Sequence, residues 1–452
     1  MSQTQGEVDR IVSMTGPKQD TKQSETESIR GWMETQPTEA ALRARLEQSL
    51  RQSNGNRNRN TYLWQDAEGS HRELERVLAR RRTGEKLGLA GVPVSLKDCF
   101  DLEGTRTTLG SRYYAERNPV AAVDSWVAAR LRSMGAVITG KTHLHALAYG
   151  ITGENRDYGD CTQPRNAAWL TGGSSSGAVA SVQEGSALAA IGTDTGGSVR
   201  VPAALCGLVG YRSSLGWGSW QGGHHLAQSF DTIGWLFRHL EDAPLLARLF
   251  DAERTSEAGA AARRFAYVDE EYLRDCEPEV MASFRACVEE LRALGLTATE
   301  VRVPWWEEAH EVFAPVQAWE AARIHAEHVA GDFSMFEAPI RQRLEWGARI
   351  TEEEIADLRQ RHDAFRARMA ALLDEHELVV FPCAPVASLR AGEDHTSIRA
   401  RLLRYTAPAS LGGLPALAVP FAAGGMQVLA GHGADARLLW LAEKLGEARR
   451  VS

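Results

Sequence analysis

The chain has 452 residues, of which 43% are hydrophobic and 24% are charged, a balance typical of a folded protein with a large core and not of a disordered one. Lys and Arg number 51 against 59 Asp and Glu, and the resulting net charge of −8 argues against binding to nucleic acids or anionic membranes. The six cysteines include no CxxC pair, which argues against a disulfide framework or a Cys-based zinc site.

The N-terminal residues 1–28 are polar and charged and lack an apolar segment, so they predict a disordered tail and not a signal peptide. Residues 406–434 lie within the longest stretch without Asp, Glu, Lys or Arg, and three prolines interrupt them. A membrane helix of about 20 apolar residues does not fit there. Together with the unpaired thiols, these features predict a cytoplasmic protein.

Two helices are predicted ahead of the first long strand. Residues 38–52 carry Leu42, Leu46 and Leu50 at helical spacing, which predicts an amphipathic helix. Residues 71–84 predict a second helix, because basic side chains in the last turn and a glycine after it suit a helix C-terminus.

From Leu87 onward, short apolar runs alternate with helical segments. The run GVPVSL predicts a strand that leads into Lys97, and further strands are predicted to begin at Ala136 and Leu188, with helices between them. This alternation predicts an α/β fold with a largely parallel sheet.

The middle of the chain, about residues 253–377, is rich in charge and in helical patterns and predicts a helical layer or cap. Strand-like apolar runs return in about residues 378–452, so we expect one sheet completed by both ends of the chain. Four tryptophans of the middle segment suit either core packing or a pocket for a bulky apolar acyl group: Trp305, Trp306, Trp319 and Trp346.

Residues 135–142 match the phosphate-loop pattern GxxxxGK[ST]. A phosphate loop follows a strand and precedes a helix, so that its amides face the phosphates. Here a helical pattern precedes Gly135, and an apolar strand occupies the supposed loop. This inverted context favours a helix C-cap at Gly135 and makes Lys141 an ordinary residue at a strand end.

Residues 173–177 match the nucleophile elbow GxSxG, with Ser175 as the nucleophile. The elbow requires a buried strand directly before it, and RNAAWLTG is a poor strand. It also requires a downstream acid and histidine, which the sequence permits without pointing to any particular pair. A flexible linker is a further interpretation, although packable apolar sequence continues on both sides.

A third constellation combines Lys97, the GGSSSG run and the turn TDTGGS that ends in Ser198. A lysine after an apolar strand is costly to bury as a cation, so it either reaches water or is held neutral. A neutral lysine is a competent base, and Ser/Lys pairs substitute for Ser/His/Asp triads. The amides of Gly196 and Gly197, unobstructed by side chains, are suited to an oxyanion hole. Taken alone, the turn favours a tight glycine turn after a strand, and only the combination points to catalysis.

The run GGSSSGAVASVQEGSALAAIGTDTGGSVRVPAALCGLVG, residues 172–210, resembles the amidase signature family. The resemblance covers about residues 87–250 and returns at about residues 378–448, with FPCAPVAS and YTAPASLGGLPALAVPF. It implies a single α/β/α domain over residues 29–452, with a large mixed central sheet covered by helices. It also implies hydrolysis of a C–N amide bond with neither a metal nor an organic cofactor.

Carried over to this chain, the resemblance implies that Ser198 is the nucleophile, that Ser174 is a bridging serine after a cis peptide bond from Gly173, and that Lys97 is the base. The implied oxyanion hole consists of backbone amides of four consecutive residues: Thr195, Gly196, Gly197 and Ser198. The chain departs from the family after the signature, at residues 211–225. There, four side chains either line the substrate cleft or belong to a surface loop folded on its own tryptophans: Trp217, Trp220, His224 and His225.

We therefore expect a stand-alone amidohydrolase acting on a small-molecule amide, with no nucleic-acid or membrane partner and a homodimer left open. One competing function is that of an amidotransferase A subunit working in a complex, which the atypical loop and a C-terminal stretch that looks shortened argue against. Another is hydrolysis of carbamate, biuret-type or ester bonds by the same acyl-enzyme chemistry. A binding protein with an inactive site conflicts with the intact Lys97, Ser174 and Ser198.

Overall fold

The computed structural model describes residues 28–250 and 261–451. The predicted tail lies outside the described residues, apart from Ser28. The described strands are β1 (Tyr62–Trp64), β2 (Pro93–Lys97), β3 (Val137–Thr142), β4 (Thr162–Gln163), β5 (Asn166–Leu170), β6 (Ala189–Asp194), β7 (Val209–Arg212), β8 (Thr232–Phe237), β9 (Arg264–Val268), β10 (Thr297–Val301), β11 (Leu378–Pro382), β12 (Ala416–Pro420) and β13 (Gly425–Ala430).

The described helices are α1 (Ile29–Glu34), α2 (Glu39–Gly55), α3 (Ala67–Arg82), α4 (Arg112–Arg117), α5 (Trp126–Ser133), α6 (Ser176–Glu184), α7 (Arg200–Cys206), α8 (Ala243–Ala247), α9 (Pro278–Ala293), α10 (Ala309–Val329), α11 (Ala338–Arg349), α12 (Glu352–His376), α13 (Ile398–Leu411) and α14 (Asp435–Val451). None of them is both long enough and apolar enough to cross a membrane. The two predicted N-terminal helices correspond to α2, which Thr38 caps through its side chain, and α3.

Eleven of the described strands form one central sheet in the order β1-β3-β2-β6-β8-β7-β12-β13-β11-β9-β10, and β4 and β5 form a separate pair. The expectation of an α/β fold with a large mixed sheet is confirmed. The prediction of a largely parallel sheet is wrong. In the order of the sheet, all neighbours along β6-β8-β7-β12-β13-β11 pair antiparallel. The short link between β12 and β13 shows the reason, since only an antiparallel pair can be joined by so few residues.

The middle segment adds strands as well as helices. Strands β9 and β10 were not predicted; they pair parallel with each other, and β9 pairs parallel with β11, so the segment extends the sheet at one edge. Strand β10 lies at that edge and has mostly exposed side chains, so its sequence carries no apolar run. Long helices α10, α11 and α12 supply the predicted helical part. Residues 251–260, which include the start of this segment, lie outside the described residues.

The four tryptophans of the middle segment do not share one pocket. Trp306 is fully buried and packs on Phe381 at 4.9 Å between ring centroids. Trp319 lies against the guanidinium of Arg323 at 3.6 Å, and Trp346 is 38% exposed. Core and surface packing therefore account for these side chains better than a substrate pocket does.

Strands β2 and β6 position the candidate site. They are parallel neighbours, and every residue of both is buried, so both faces of the sheet are covered here. Strand β2 ends at Lys97 and β6 ends at Asp194. Because the carboxyl ends of parallel strands lie at the same edge of a sheet, the two ends and the turns after them come together.

Candidate active site

Lys97 is fully buried at the end of β2. Its Nζ lies 2.7 Å from Ser174 Oγ and 2.7 Å from Thr193 Oγ1, and no carboxylate of the described residues forms an ion pair with it. Desolvation by burial lowers the pKa of Lys97 from 10.5 to about 8, and the surrounding acidic groups offset this only in part. A neutral amine next to a serine hydroxyl is therefore accessible near neutral pH.

Ser174 is held by a loop whose backbone is bonded on both sides. The Gly173–Ser174 peptide bond is cis, as the family resemblance implies. Gly173 N–H donates to the carbonyl of Ile151 at 2.8 Å, and His145 N–H donates to the carbonyl of Ser174 at 3.2 Å. Ser174 itself is fully buried. The loop therefore presents the Ser174 hydroxyl to Lys97.

Ser198 lies in the turn between β6 and α7. Its carbonyl accepts a hydrogen bond from Ser175 N–H at 3.2 Å, so the serine-rich loop and this turn are in backbone contact. Ser198 is 4% exposed, and its hydroxyl has no hydrogen-bond partner within the described parts of the chain. Lys97 and Ser174 are thus in hydrogen-bond contact, and Ser198 lies in the turn that contacts the serine-rich loop at Ser175.

The buried carboxylate of Asp194 holds the turn in shape. It accepts hydrogen bonds from Gly197 N–H at 2.8 Å and Val199 N–H at 3.1 Å, and it forms ion pairs of 2.9 Å with both Arg200 and Arg212. Burial alone would raise the pKa of Asp194, but the two guanidinium groups outweigh it and hold that pKa well below its usual range. The carboxylate is therefore charged at every working pH.

The turn leaves three backbone amides without a partner. The N–H groups of Thr195, Gly196 and Ser198 make no hydrogen bond within the described residues. The Gly197 N–H differs from them, because it is already bonded to Asp194. A Cβ on Gly196 would lie 2.7 Å from the ring of Phe313, which explains the glycine at this position. Three of the four amides named from the resemblance are thus free to bind an oxyanion.

The carboxylate of Asp231 links the loop after β7 to the turn that contains Ser198. His225 Nδ1 lies 2.9 Å from Asp231 Oδ2, and Thr195 Oγ1 donates to Asp231 Oδ1 at 2.6 Å. Trp220 stacks on His225, with ring centroids 4.0 Å apart and the planes 26° apart. His225 and Trp220 therefore lie beside the candidate site, linked to Thr195 through Asp231.

The other two side chains singled out in that loop lie further out or deeper. Trp217 is 7% exposed and packs on Phe250, so it is part of the core. His224 Nε2 lies 3.5 Å from Asp101 Oδ1, and its side chain is about one third exposed. The loop as a whole thus matches neither interpretation, because Trp217 belongs to the core whereas Trp220 lies near the candidate site.

The two competing motifs have other structural roles. The Ser175 hydroxyl donates to the Thr193 carbonyl at 3.2 Å and accepts from the Thr193 N–H at 3.3 Å, and the preceding strand β5 lies outside the central sheet. Gly135 has a φ of +84° after helix α5, as a C-cap requires. Lys141 is no ordinary strand-end residue, because its Nζ forms a fully buried ion pair of 2.5 Å with Asp98.

Three residues of the site were missed in the sequence. Thr193 and Asp194 stand inside the quoted turn motif, and Asp231 stands in the motif SFDTIG, so their position in the motifs was the available signal. Their roles depend on partners elsewhere in the fold. No group of three or more His, Cys, Asp or Glu side chains among the described residues could hold a metal ion.

Known proteins resemble this chain over most of its length. The family model described as Amidase matches residues 44–439. The A subunit of glutamyl-tRNA(Gln) amidotransferase from Roseiflexus sp. (strain RS-1) is 30% identical over 414 residues, which are 81% of this chain and 85% of that protein. The 2-amino-5-chloromuconic acid deaminase of Comamonas testosteroni is 31% identical over 392 residues, which are 79% of this chain and 82% of the relative.

One solved structure, described as the crystal structure of an amidase, superposes with a TM-score of 0.84 and 31% identity. The superposition covers 93% of this chain and 98% of that chain. The family match, the relatives and the shared fold lead to one conclusion. The chain belongs to the amidase (amidase signature) family, whose members act on C–N bonds.

Proposed function

We propose that the protein hydrolyses a C–N amide bond of a small molecule through an acyl-enzyme on Ser198. Ser198 Oγ attacks the carbonyl carbon and passes its proton to Ser174 Oγ, while the Ser174 proton moves to Lys97 Nζ. The carbonyl π pair moves onto oxygen, and the oxyanion is bound by the amides of Thr195, Gly196 and Ser198.

The tetrahedral intermediate then collapses and the C–N bond breaks. The leaving nitrogen takes a proton from Ser174, which is replenished from Lys97, so an amine or ammonia departs and Lys97 is neutral again. In the second half, water attacks the carbonyl carbon of the Ser198 ester and its proton moves through Ser174 to Lys97. The C–O bond to Ser198 then breaks, the same relay returns the proton to Ser198 Oγ, and a carboxylic acid is released. The proposal requires no metal or organic cofactor at any step.

The observation that carries this proposal is the environment of Lys97. A buried lysine is normally neutralised by a carboxylate, whereas the hydrogen bonds of this one within the described residues go only to hydroxyl groups, Ser174 Oγ and Thr193 Oγ1, each at 2.7 Å. Its lowered pKa of about 8 leaves a usable fraction of neutral amine at neutral pH. The three unpartnered amides of the turn supply the second element of the chemistry.

The test is covalent labelling of the full chain with a serine-directed fluorophosphonate, followed by intact mass and peptide mapping. We expect one adduct on Ser198, none in Ser198→Ala, and normal labelling in the matched control Ser175→Ala. An adduct on Ser175 in the wild type would contradict the proposal and support the nucleophile elbow at residues 173–177.

A panel of amides, carbamates and esters, read by release of ammonia, amine or alcohol, then identifies the bond cleaved.

A second candidate function is that of an amidotransferase A subunit, which several 30%-identical relatives are named as. It predicts that glutaminase activity depends on partner proteins, and co-purification of such partners would favour it. The stand-alone enzyme is preferred because of the atypical loop at residues 211–225.

We further propose that residues 29–452 act as one catalytic domain in the cytoplasm. Whether the active form is a homodimer is a question for measurements of oligomeric state.

A further inference from the structure

His145 connects the serine-rich loop to the middle segment of the chain. Its backbone N–H donates to the carbonyl of Ser174 at 3.2 Å, while its ring Nε2 lies 3.5 Å from Glu337 Oε1. Glu337 directly precedes α11, which belongs to the middle segment. One residue thus joins the loop that presents the bridging serine to a helix from a distant part of the chain.

The ring of His145 is fixed by packing as well as by this contact. His145 is 7% exposed, and a Cβ built on Gly150 would lie 2.0 Å from its Nε2, so the ring lies directly against the Gly150 backbone. Its Nδ1 is buried and has no hydrogen-bond partner, so within the described residues Glu337 is the ring's only ionic or hydrogen-bond contact. Removing Glu337 therefore leaves a buried imidazole without that partner, which is unfavourable.

The Glu337 carboxylate points to this part of the molecule and not to its own helix. Glu337 stands at the N-cap position of α11 but makes no capping hydrogen bond with that helix, and its Oε2 accepts from Arg156 N–H at 3.4 Å instead. Burial alone would raise the pKa of Glu337, but the hydrogen bond and the charge of His145, followed by the Arg156 N–H, outweigh it and lower that pKa. The carboxylate is therefore ionised at neutral pH and suited to hold the His145 ring.

A second contact joins α11 to the same stretch of chain, residues 145–151. Arg343 Nη2 donates to the carbonyl of Tyr149. Between the two contacts with α11, Leu147 and Ala148 have φ values of 56° and 54°, a left-handed conformation that is unfavourable for residues with a Cβ. Such a conformation persists only where the surrounding structure holds it, so this stretch depends on its anchors at α11.

Both ends of this stretch hold the serine-rich loop. The His145 N–H bonds to the Ser174 carbonyl at one end, and at the other end the carbonyl of Ile151 accepts from Gly173 N–H at 2.8 Å. Ser174 Oγ lies 2.7 Å from Lys97 Nζ. A displacement of the loop by about 1 Å would take these two atoms out of hydrogen-bond reach.

We infer that the contact between His145 and Glu337 positions Ser174 for proton transfer, so that His145 is a positioning residue and α11 fixes the geometry of the relay from outside the active site. This role rests on the proposed function for the part that Ser174 takes in the chemistry. It adds a physical connection between the middle segment and the reacting groups.

The first measurement is amide hydrogen exchange of the full chain, read by mass spectrometry of peptides that cover residues 143–151 and 171–176. His145→Ala and Glu337→Ala should each raise exchange in both regions by roughly 3- to 10-fold, because the hydrogen-bonded amides there lose their anchor. Exchange in β2 should not change. Circular dichroism confirms that each variant is folded.

The same helix offers a matched control. Glu345 also lies on α11, but it is exposed and pairs with Arg341 at 3.7 Å, so Glu345→Ala should leave exchange and reactivity unchanged. Glu337→Gln is the conservative variant. It keeps an oxygen acceptor for His145 and should retain more of the wild-type behaviour than Glu337→Ala.

The second measurement is the rate at which a fluorophosphonate labels Ser198, resolved into the affinity for the reagent and the rate constant of the covalent step. His145→Ala and Glu337→Ala should each lower the rate constant roughly 3- to 10-fold and leave the affinity unchanged, because positioning acts on the reaction step and not on binding. The double variant should be no slower than the slower single variant, since both residues act through one contact.

Faster exchange together with a slower covalent step at unchanged affinity would support the inference. Unchanged exchange in residues 171–176, or losses that multiply in the double variant, would overturn it. A change in reagent affinity alone would also overturn it, because it would indicate contact with the ligand. A wild type without an adduct on Ser198 would instead refute the proposed function, and the exchange measurement would still decide whether the contact holds the Ser174 loop.

Discussion

Lys97 and Lys141 are two fully buried lysines on adjacent parallel strands, one register position apart: β2 and β3 pair Leu96 with Lys141, and Lys97 with Thr142. Lys141 Nζ lies 2.5 Å from the carboxylate of Asp98. Lys97 Nζ, in the part of the chain that the structure describes, hydrogen-bonds only to the hydroxyl groups of Ser174 and Thr193.

The comparison shows that burial alone does not determine the role of a lysine side chain. Both side chains carry the cost of moving an ammonium group out of water, but of the two only Lys141 forms an ion pair with a carboxylate of the described residues. For Lys97 the cost appears as a pKa lowered to about 8, which creates a base. The carboxylate partner, and not the depth of burial, distinguishes a structural lysine from one suited to catalysis.

The largest expected effect is a loss of turnover when Lys97 is substituted. Lys97→Met should lower turnover by about three orders of magnitude or more, because the serines lose their base. Lys97→Arg should be equally inactive, since a guanidinium stays protonated. Steady-state turnover with circular dichroism measures both. An arginine variant with near-normal turnover would show that only positive charge is needed at this position.

The second effect concerns stability at the other lysine. Lys141→Met should lower the free energy of unfolding by about 3–5 kcal/mol, because it leaves the Asp98 carboxylate buried with hydrogen bonds from Thr108 but without its cationic partner. Denaturant unfolding at pH 7 measures it. The double variant Lys141→Met/Asp98→Asn should recover a large part of the loss, whereas Lys97→Met should change stability much less. Equal destabilisation by the two Met variants would refute the distinction between the two lysines.

The third prediction follows from the pKa of Lys97. Only the neutral amine accepts a proton, so kcat/KM should rise with pH and level off above about 8, with about a tenfold gain per pH unit below that value. A pH–rate profile with an uncharged substrate measures this limb. The residual activity of Lys97→Met should lack it. A plateau that already begins near pH 6 would assign the base to another group.

The smallest effects are expected at the histidines. His225 contacts Asp231 and so touches the turn only indirectly. His225→Ala and the other single histidine-to-alanine variants should each retain at least about a tenth of wild-type turnover. This loss is smaller than the loss expected from removing a general base. Turnover of folded variants measures this. One indispensable histidine would argue against lysine as the base.

Local sequence patterns were sufficient for much of the fold. Apolar runs bounded by glycine turns located β2, β3 and β6, because buried strands need continuous apolar residues. Edge strand β10 escaped prediction, since its side chains are mostly exposed and polar. The antiparallel middle of the sheet escaped as well, because strand direction depends on how the chain returns and not on composition.

The candidate residues Lys97, Ser174 and Ser198 could be named from the sequence because each stands in a motif of fixed local spacing. Their neighbours could not, since Asp98 pairs with Lys141, and Asp231 with Thr195, across separate segments of the chain. Which buried lysine has a carboxylate partner is decided only when strands and helices pack. An electrostatic environment is a property of three-dimensional distance, and sequence spacing does not encode that distance between separate elements.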